Sequence, residues 1–387
     1  MKPVYVAADN ILSPLGSSTK ENFERVKSGL SAIRQISDTS LSPEPFCASM
    51  FLESLHLPSP FHGEGARPKG WAGEVTRFEK LCIASIQDAL SQTEIKLSNK
   101  DTLFILSTTK GNIELIEGVE VTDEIRSRVS LFNTAKIIAE HFGAVNKPLV
   151  VSNACISGVL SVIIAKRLLE AGKYKNVVIT GADVLSRFII RGFQSLHVMS
   201  ANPCKPFDKN RDGINLGECA ATIVLTVDKS LSKNILVNGG ASTNDANHIS
   251  GPSRTGLELS YAVKEAMTES NVGSGDLSFI SAHGTATLYN DEMEAKAFSD
   301  AHLSAIPLHS LKGHFGHTLG AAGVLESVFA YQSLLDNVLL PSRNFETLGV
   351  SEQVNVSREL VKGYKSHALK TASGFGGCNA AVIYSTT

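Results

Sequence analysis

The sequence has no long apolar run, no pair of closely spaced cysteines and almost no net charge. No stretch of its 387 residues approaches the apolar length that spans a bilayer. The apolar stretch after Met1 is too short for a signal peptide. The formal net charge of −2 argues against a general nucleic-acid binder. These absences predict a cytoplasmic protein with no membrane span and no nucleic-acid partner.

The cysteines are scattered along the chain and form no CxxC pair and no Cys/His spacing typical of a metal site. We therefore expect reduced thiols and no bound metal. The six cysteines are Cys47, Cys82, Cys155, Cys204, Cys219 and Cys378. The hydrophobic content of 43% can supply a large core, and the length predicts two or three domains or one large duplicated domain.

Apolar runs typical of strands alternate with amphipathic helical segments, which predicts an α/β architecture with mostly parallel sheets. Two such series of similar length meet near residue 230, so we predict an N-terminal half, 1–230, and a C-terminal half, 231–387. Residues 35–70 are rich in Ser, Pro and Gly and are interpreted as an irregular excursion across the surface. The main predicted helices are 19–27, 76–92, 131–142, 257–270, 291–298 and 320–335. The main predicted strands are 4–7, 102–107, 177–181, 220–227, 235–238, 277–282, 307–310 and 380–384.

Cys155 follows the short apolar run Pro148–Val151, typical of a buried parallel strand, and precedes apolar residues at helical spacing. The thiol is thus predicted at a strand-to-helix junction, beside free backbone N–H groups and the positive end of a helix dipole. Such surroundings favour the thiolate that covalent catalysis requires. The alternative is a small buried hydrophobe, the commonest fate of a free cysteine.

Three further segments place polar residues directly after predicted strands. His283 lies in a turn of small residues, Lys312 and His317 lie five apart, and a glycine-dense turn, 374–377, precedes the last strand. Function in open α/β sheets gathers at the carboxyl ends of strands, so we expect these segments to meet Cys155. Taken singly, each histidine could be structural and Lys312 a solvated charge. The glycine turn opens no helix, which excludes a dinucleotide fingerprint.

With these segments the chain resembles the β-ketoacyl-ACP synthases of the thiolase superfamily, in the branch with a Cys-His-His active site. The resemblance runs nearly end to end and is carried by Leu12–Gly16, Pro206–Gly213 with Gly217-Glu218, Ala282–Thr287, Lys312–Gly323 and Gly374–Gly377. It implies a thiolase-like fold: two similar α/β halves packed as αβαβα layers with mostly parallel, mixed sheets.

The resemblance also implies roles. Cys155 would take the acyl chain as a thioester, and His283 and His317 would face the carbonyl of the malonyl extender. Lys312 would order the histidines, while the backbone N–H groups of Cys155 and Phe375 would form the oxyanion hole. Glu218 and Glu294 would support these residues without contacting the substrate, although Glu218 could equally be a buried salt-bridge partner. No metal, flavin or nicotinamide is required for this chemistry.

Lys110 and Ile156 are the candidates for the acyl pocket. Lys110 falls where members of this family carry a small or apolar residue at the pocket bottom. A charge there implies a short or polar-ended acyl chain or a pocket completed by another subunit, unless the side chain turns outward to water. The sequence around Lys312 and Gly374 is similar to the corresponding sequences of synthases from aryl-polyene or flexirubin pigment clusters.

The partners implied are an acyl carrier protein bearing acyl or malonyl phosphopantetheine thioesters, and a second subunit in a homodimer or heterodimer. An acidic carrier would dock by charge complementarity. The docking candidates are Arg67, Lys69, Arg126, Arg128 and Lys205. The implied product is a 3-oxoacyl-ACP of fatty acid, polyene or polyketide synthesis.

Two other functions stay open at this point. A non-catalytic chain-length partner would only shape another subunit's pocket, but such relatives typically lack the nucleophile that this chain keeps. A CoA-dependent thiolase would use a second cysteine near the C-terminus, for which Cys378 is the candidate. The two histidines and Lys312 argue against the thiolase.

Overall fold

The computed structural model describes residues 2–51, 75–363 and 366–387. In these ranges the α-helices are α1 Thr19–Lys27, α2 Arg77–Ser91, α3 Asp123–Val129, α4 Leu131–His141, α5 Ser157–Glu170, α6 Arg187–Ser195, α7 Leu257–Ser270, α8 Leu288–Asp300, α9 Lys312–Phe315 and α10 Ala322–Leu335. The strands are β1 Tyr5–Leu12, β2 Ile33–Ile36, β3 Phe46–Ser49, β4 Thr102–Ser107, β5 Leu149–Val151, β6 Asn176–Asp183, β7 Leu216–Gly217, β8 Cys219–Thr226, β9 Ile235–Asn244, β10 Leu277–Ser281, β11 Pro307–His309, β12 Val338–Leu339, β13 Asn355–Val356, β14 Val361–Lys362, β15 His367–Gly374 and β16 Cys378–Thr386.

The same strand topology occurs twice. One 11-stranded sheet has the order β13-β11-β10-β15-β16-β9-β1-β8-β6-β4-β5. The orders β5-β4-β6-β8-β1 and β11-β10-β15-β16-β9 become identical when each half's strands are numbered along the chain. In each half four strands share one direction, and only β8 or β16 runs against them. The repeated strand order therefore shows the duplication of the two halves, which the sequence only suggested. The boundary near residue 230 stays a prediction.

The helices form three layers around the two sheet halves. Helices α5 and α10 pack against each other between the halves, in a core built from Val159, Ile163, Val324 and Val328 with inward residues of both halves. Helices α2 and α4 cover the outer face of the N-terminal half, and α7 and α8 cover that of the C-terminal half. This arrangement confirms the predicted layered αβαβα fold.

Two glycines let the central helices touch backbone to backbone. A Cβ atom on Gly158 of α5 would lie 2.5 Å from Val324 N, and one on Gly323 of α10 would lie 2.4 Å from Val159 N. Neither position has room for a side chain. This crossing brings the start of α5, just after Cys155, close to the loop that carries His317.

Local sequence patterns predicted the bounds of several helices and strands correctly. Strand β4 and helix α7 have the predicted bounds, and Ser18 and Thr76 cap α1 and α2 with their side chains. The strand before Cys155 is present and parallel to β4, but its burial was predicted wrongly. Leu149 is 37% exposed, because β5 is the end strand of the sheet.

The irregular excursion predicted over residues 35–70 is wrong at 35–36 and 46–49, which are strands, whereas 37–45 are irregular as predicted. Strands β2 and β3 pair antiparallel, and β3 pairs with β7, forming a small sheet of three strands. Strand β15, which no prediction included, lies between β10 and β16. Helices α3 and α6 were not predicted either.

None of the helices in the described ranges has the length and apolar character needed to cross a membrane.

Candidate active site

Four segments that follow β5, β10, β11 and β15 meet at one place. The Cys155 sulfur and one ring nitrogen each of His283 and His317 all lie within 4.8 Å of one another. The two imidazole rings are 5.1 Å apart and nearly perpendicular, at 84°. The structure thus brings together the cysteine and both histidines that the sequence singled out.

The turn at Cys155 is held by its neighbours. Ala154 has a positive φ of 44°, a conformation that costs free energy for a residue with a Cβ. The Ser157 hydroxyl accepts the Asn153 N–H at 2.8 Å and donates to the Ala154 carbonyl at 2.6 Å. These hydrogen bonds stabilise a turn that presents the sulfur at the start of α5.

The glycine turn packs directly on this cysteine. A Cβ atom on Gly374 would lie 3.0 Å from Cys155 N, so the close approach requires a small residue there. The approach brings the backbone N–H of Phe375 to the Cys155 sulfur, where its hydrogen bond lowers the pKa of the thiol. The ring of Phe375 is 38% exposed and stacks on Phe193 with centroids 6.1 Å apart.

The prediction that these surroundings favour the thiolate is wrong. Burial raises the pKa of Cys155 to about 12, against the lowering effects of the Lys312 charge, the Phe375 N–H and the Lys110 charge. A charged sulfur loses its hydration in this pocket, and the helix start and the nearby cations do not compensate that loss. The resting nucleophile is therefore a thiol.

Both histidines are neutral, with the proton on Nε2. Burial, and then the charge of Lys312, lowers the pKa of each ring well below its usual range. The backbone N–H of Leu319 donates to His317 Nδ1 at 3.2 Å, and Lys312 Nζ lies 3.5 Å from His283 Nδ1. These donors assign Nδ1 as the acceptor in each ring. His317 Nε2 is buried without a partner among the described residues, so its N–H is available to a ligand.

Lys312 belongs to a buried cluster that sequence reasoning missed in part. Its ammonium is fully buried and lies 2.5 Å from Glu326 Oε1, while Lys370 Nζ lies 2.6 Å from Glu326 Oε2. Glu326 and Lys370 were not predicted. The available signal was a single charge inside an otherwise uncharged segment, at Glu326 in α10 and at Lys370 in β15.

The two predicted supporting carboxylates differ in what they hold. Glu294 accepts the backbone N–H groups of His283 at 2.8 Å and Gly284 at 2.6 Å, so it fixes the turn that carries the histidine. Glu218 forms a two-pronged ion pair with Arg77, at 2.7 and 2.6 Å, and contacts neither histidine. Of the two interpretations offered for Glu218, the structure agrees with the salt-bridge partner.

A cavity of about 110 Å³ opens over these residues. Its lining includes Cys155, His283, His317, Phe375, Phe193 and Tyr289. Sites that enclose drug-sized ligands measure about 300–1,000 Å³, so the cavity formed by the described residues of one chain is small.

The two acyl-pocket candidates lie outside this lining. Ile156 is buried in the central core, and Lys110 is half-buried, with its backbone N–H 3.3 Å from Asp183 Oδ1. The Lys110 charge acts on the Cys155 thiol, as its effect on that pKa indicates. Their place in an acyl pocket stays a prediction.

The electrostatics favour an anion over a metal ion. A cysteine and two histidines are residue types that bind zinc. However, Lys312 and Lys370 both act to lower the pKa of His317, so their buried charges oppose a further positive charge at this place. The N–H donors and cations instead suit a negatively charged oxygen.

The basic residues predicted to dock the carrier protein differ in their exposure to solvent. Arg67 and Lys69 lie outside the described residues. Arg128 was predicted wrongly, because its side chain is only 15% exposed and pairs with buried Glu79 at 2.8 Å. Arg126 is 70% exposed, with Asp123 3.8 Å away, and Lys205 is half-buried.

Comparison with known proteins supplies the family. The chain is 27% identical over 437 residues to a putative mitochondrial 3-oxoacyl-[acyl-carrier-protein] synthase of Schizosaccharomyces pombe, covering 99% of both chains. A beta-ketoacyl synthase from Burkholderia phymatum superposes with a TM-score of 0.87 at 22% identity, covering 100% of both chains. A ketosynthase in complex with its chain length factor from Xenorhabdus doucetiae superposes with a TM-score of 0.85 at 22% identity, covering 100% of this chain and 98% of that one.

The sequence models for the N-terminal and C-terminal domains of beta-ketoacyl synthases match residues 1–230 and 235–346. The chain therefore belongs to the beta-ketoacyl synthase family of condensing acyltransferases.

Proposed function

We propose that this protein is a 3-oxoacyl-[acyl-carrier-protein] synthase that joins an acyl group carried on Cys155 to malonyl-ACP. One observation carries the proposal: the Cys155 sulfur and one ring nitrogen each of His283 and His317 converge within 4.8 Å. A thiol nucleophile, paired N–H donors and the nearby Phe375 N–H are what the two half-reactions need.

In the first half-reaction the Cys155 sulfur attacks the thioester carbonyl of acyl-ACP. The bond between that carbonyl and the carrier's phosphopantetheine sulfur breaks, and the proton of the Cys155 thiol ends on the departing sulfur. The backbone N–H groups of Cys155 and Phe375 bind the oxyanion that forms. Because burial raises the pKa of the thiol to about 12, the sulfur has to lose its proton in this half-reaction.

In the second half-reaction malonyl-ACP loses carbon dioxide. The electron pair of the broken C–C bond forms an enolate, whose oxygen accepts the Nε2–H groups of His283 and His317. The enolate carbon attacks the acyl carbonyl on Cys155, the C–S bond breaks, and the sulfur takes up a proton from solvent. Each donor aimed at a developing oxyanion contributes about 3 kcal/mol, so the two histidines together account for a large share of the rate.

Mass spectrometry after incubation with a mixture of acyl-ACPs tests this function. We expect one acyl group on Cys155 of the wild type, none on Cys155→Ala, and a folded protein in both cases by circular dichroism. The acyl group that survives also identifies the chain length and indicates whether the pathway makes fatty acids, polyenes or polyketides. A wild type that never takes up an acyl group contradicts the proposal.

A second cysteine does lie near Cys155, since a Cβ atom on Gly374 would be 3.0 Å from both Cys155 N and Cys378 Sγ. However, Cys378 does not line the cavity, and its sulfur lies 3.4 Å from the Phe375 carbonyl. A chain-length partner needs no nucleophile, whereas Cys155 lines the cavity together with both histidines. An assay with acetyl-CoA alone separates the thiolase from the condensing enzyme.

The proposed assembly is a dimer through the free edge of β5. Leu149 on this end strand is 37% exposed, and Ser152 and Asn153, which lead to the nucleophile, are exposed as well. An uncovered edge strand with an apolar side chain is a site for pairing with another chain. Leu149→Lys should therefore halve the mass measured by light scattering, while an unchanged mass would contradict this edge. We also propose that the protein is located in the cytoplasm.

A further inference from the structure

A second buried lysine stands behind the catalytic histidine. Lys370 is fully buried in β15, and its Nζ lies 2.6 Å from Glu326 Oε2, 3.1 Å from the Ser281 carbonyl and 3.3 Å from the Ala282 carbonyl. The ammonium thus donates hydrogen bonds to two carbonyls and forms an ion pair with one carboxylate oxygen. Burial lowers the pKa of Lys370, and the Glu326 carboxylate opposes that shift.

Lys370 pairs with the second oxygen of Glu326, the carboxylate that orients Lys312. Glu326 is buried and gives one oxygen to each lysine, with Lys312 Nζ 2.5 Å from Oε1. Without Lys370 the second oxygen would be a buried charged acceptor with no partner, which is strongly unfavourable. The carboxylate would then turn, and the Lys312 ammonium that it holds would turn with it.

The contacts of Lys370 lead to His283 by two routes. The Lys312 ammonium lies 3.5 Å from His283 Nδ1, and the carbonyls that Lys370 binds belong to the two residues before His283. The next residue, Thr371, donates to Glu294, which accepts the backbone N–H of His283. Strand β15 thus holds the histidine through its backbone and through its ring.

The charges around the two rings explain why a second cation is useful. The groups that face them are Cys155, Lys312 on α9, Lys370 on β15, Glu294 on α8 and Glu326 on α10. Lys370 acts with Lys312 to lower the pKa of both rings. A ring that stays neutral keeps Nε2–H as a donor and Nδ1 as an acceptor.

We propose that Lys370 is a positioning residue of the condensation: it fixes Glu326 and the end of β10, so that Lys312 and His283 keep the geometry that stabilises the enolate. The inference rests on the proposed function, because it concerns the malonyl half-reaction. It predicts that Lys370 matters for decarboxylation and not for acylation of Cys155. No enolate forms during acylation, so that step does not need the His283 N–H as a donor to an enolate oxygen.

The test compares wild type, Lys370→Met and Lys370→Arg in two assays. Lys370→Met should lower the rate of malonyl-ACP decarboxylation about 100-fold, the loss typical of a misplaced reacting group. It should also move the acid limb of the pH–rate profile upward, toward the usual pKa of histidine, about 6.5. Acylation of Cys155, measured by mass spectrometry, should stay within about threefold of wild type. Lys370→Arg, which keeps the charge, should recover part of the decarboxylation rate.

Lys166 provides a matched control. It is also a buried lysine between two carboxylates, Glu170 and Glu269, each at 2.7 Å, but it lies on α5 away from the cavity. Lys166→Met should lower the thermal stability and leave the acid limb of the profile in place. If Lys370→Met does not fold, Lys370→Gln replaces it, since the amide keeps N–H donors and removes only the charge.

A folded Lys370 variant with the wild-type decarboxylation rate and an unmoved acid limb overturns the proposal. Equal losses in acylation and decarboxylation, with an unmoved limb, also overturn it, because they indicate a merely structural role. A wild type that neither acylates Cys155 nor decarboxylates malonyl-ACP refutes the proposed function itself, and this inference with it.

Discussion

At the scale of single residues, the site separates two tasks between two kinds of group. In the proposed mechanism the Cys155 sulfur, with the Phe375 N–H, stores and releases the acyl group, whereas the imidazole N–H groups bind a different oxygen, that of the extender. The histidines reach this state because burial and two lysines keep them neutral. Variants of one task should therefore spare the other.

His317→Ala should impair decarboxylation and leave acyl transfer in place. The variant removes one of the two N–H donors, so the decarboxylation rate of malonyl-ACP should fall by about 10²–10³-fold. Acylation of Cys155 should persist, as followed by mass spectrometry. The control is His314→Asn, because His314 is buried, binds the Leu30 carbonyl at 2.7 Å through Nδ1 and does not line the cavity. Equal decarboxylation rates in the two variants would contradict the assigned role of His317.

The same scale shows what the sequence could predict and what it could not. Cys155, His283 and Lys312 each lie a few residues after an apolar strand, a local pattern that can be detected without a structure. Glu326 and Lys370 carry no such pattern, because each acquires its role from a partner far along the chain. Arg128 was misassigned for the same reason, since its pairing with Glu79 is a property of the folded chain.

At the scale of elements, the crossing of α5 and α10 determines where the site forms. Gly158→Ala should lower the free energy of unfolding by about 3 kcal/mol or more, because the new methyl would meet Val324 N at 2.5 Å and backbone cannot move aside cheaply. Urea unfolding followed by circular dichroism measures the change. Acylation of Cys155 should fall in the same variant, since the start of α5 is displaced.

A glycine in another helix provides the control. A Cβ atom on Gly192 of α6 would meet no atom within 4 Å. Gly192→Ala should therefore raise the free energy of unfolding by about 0.5–1 kcal/mol, because alanine loses less backbone freedom on folding. If both variants had the same stability, the close helix crossing would not exist in solution.

Elements with strong local signals were predicted, and those held by distant partners were not. Helix α7 has helical periodicity along its whole length and was located to the residue. Strand β15 contains Lys370, two alanines and a glycine, residues that are depleted in strands, and it forms because β10 and β16 flank it. Strand β3 depends likewise on β7, which lies far along the chain.

At the scale of the whole molecule, the site belongs to both halves at once. Cys155 comes from the N-terminal half, while His283, His317 and Phe375 come from the C-terminal half. The strands of the two halves join in one sheet through β1 and β9, and α5 packs on α10 between them. The cavity therefore exists only when both halves are folded together.

Burial of titratable groups in this core also makes the stability of the molecule depend on pH. His309 is fully buried on β11, its ring packs on Phe279, and neither ring nitrogen has a hydrogen-bond partner among the described residues. Burial lowers the pKa of His309 to about 3. Between that value and about 6.5 the unfolded chain binds a proton that the folded protein does not, so the free energy of unfolding falls as the pH falls.

His309→Leu should remove this one contribution. Between pH 7.5 and pH 5.5 the contribution of His309 to the fall in the free energy of unfolding is about 1.4 kcal/mol. The free energy of unfolding of the variant should therefore fall by about 1.4 kcal/mol less than that of wild type over this interval. At pH 7.5 the two proteins should be nearly equal, because leucine fills similar space and leaves no unpaired polar atom. Urea unfolding at the two pH values measures the difference. The control is His302→Asn, since His302 is exposed and asparagine tolerates its φ of 58°; it should retain the wild-type pH dependence. If His309→Leu retained it as well, the His309 ring would be protonated, or reached by water, in the folded protein.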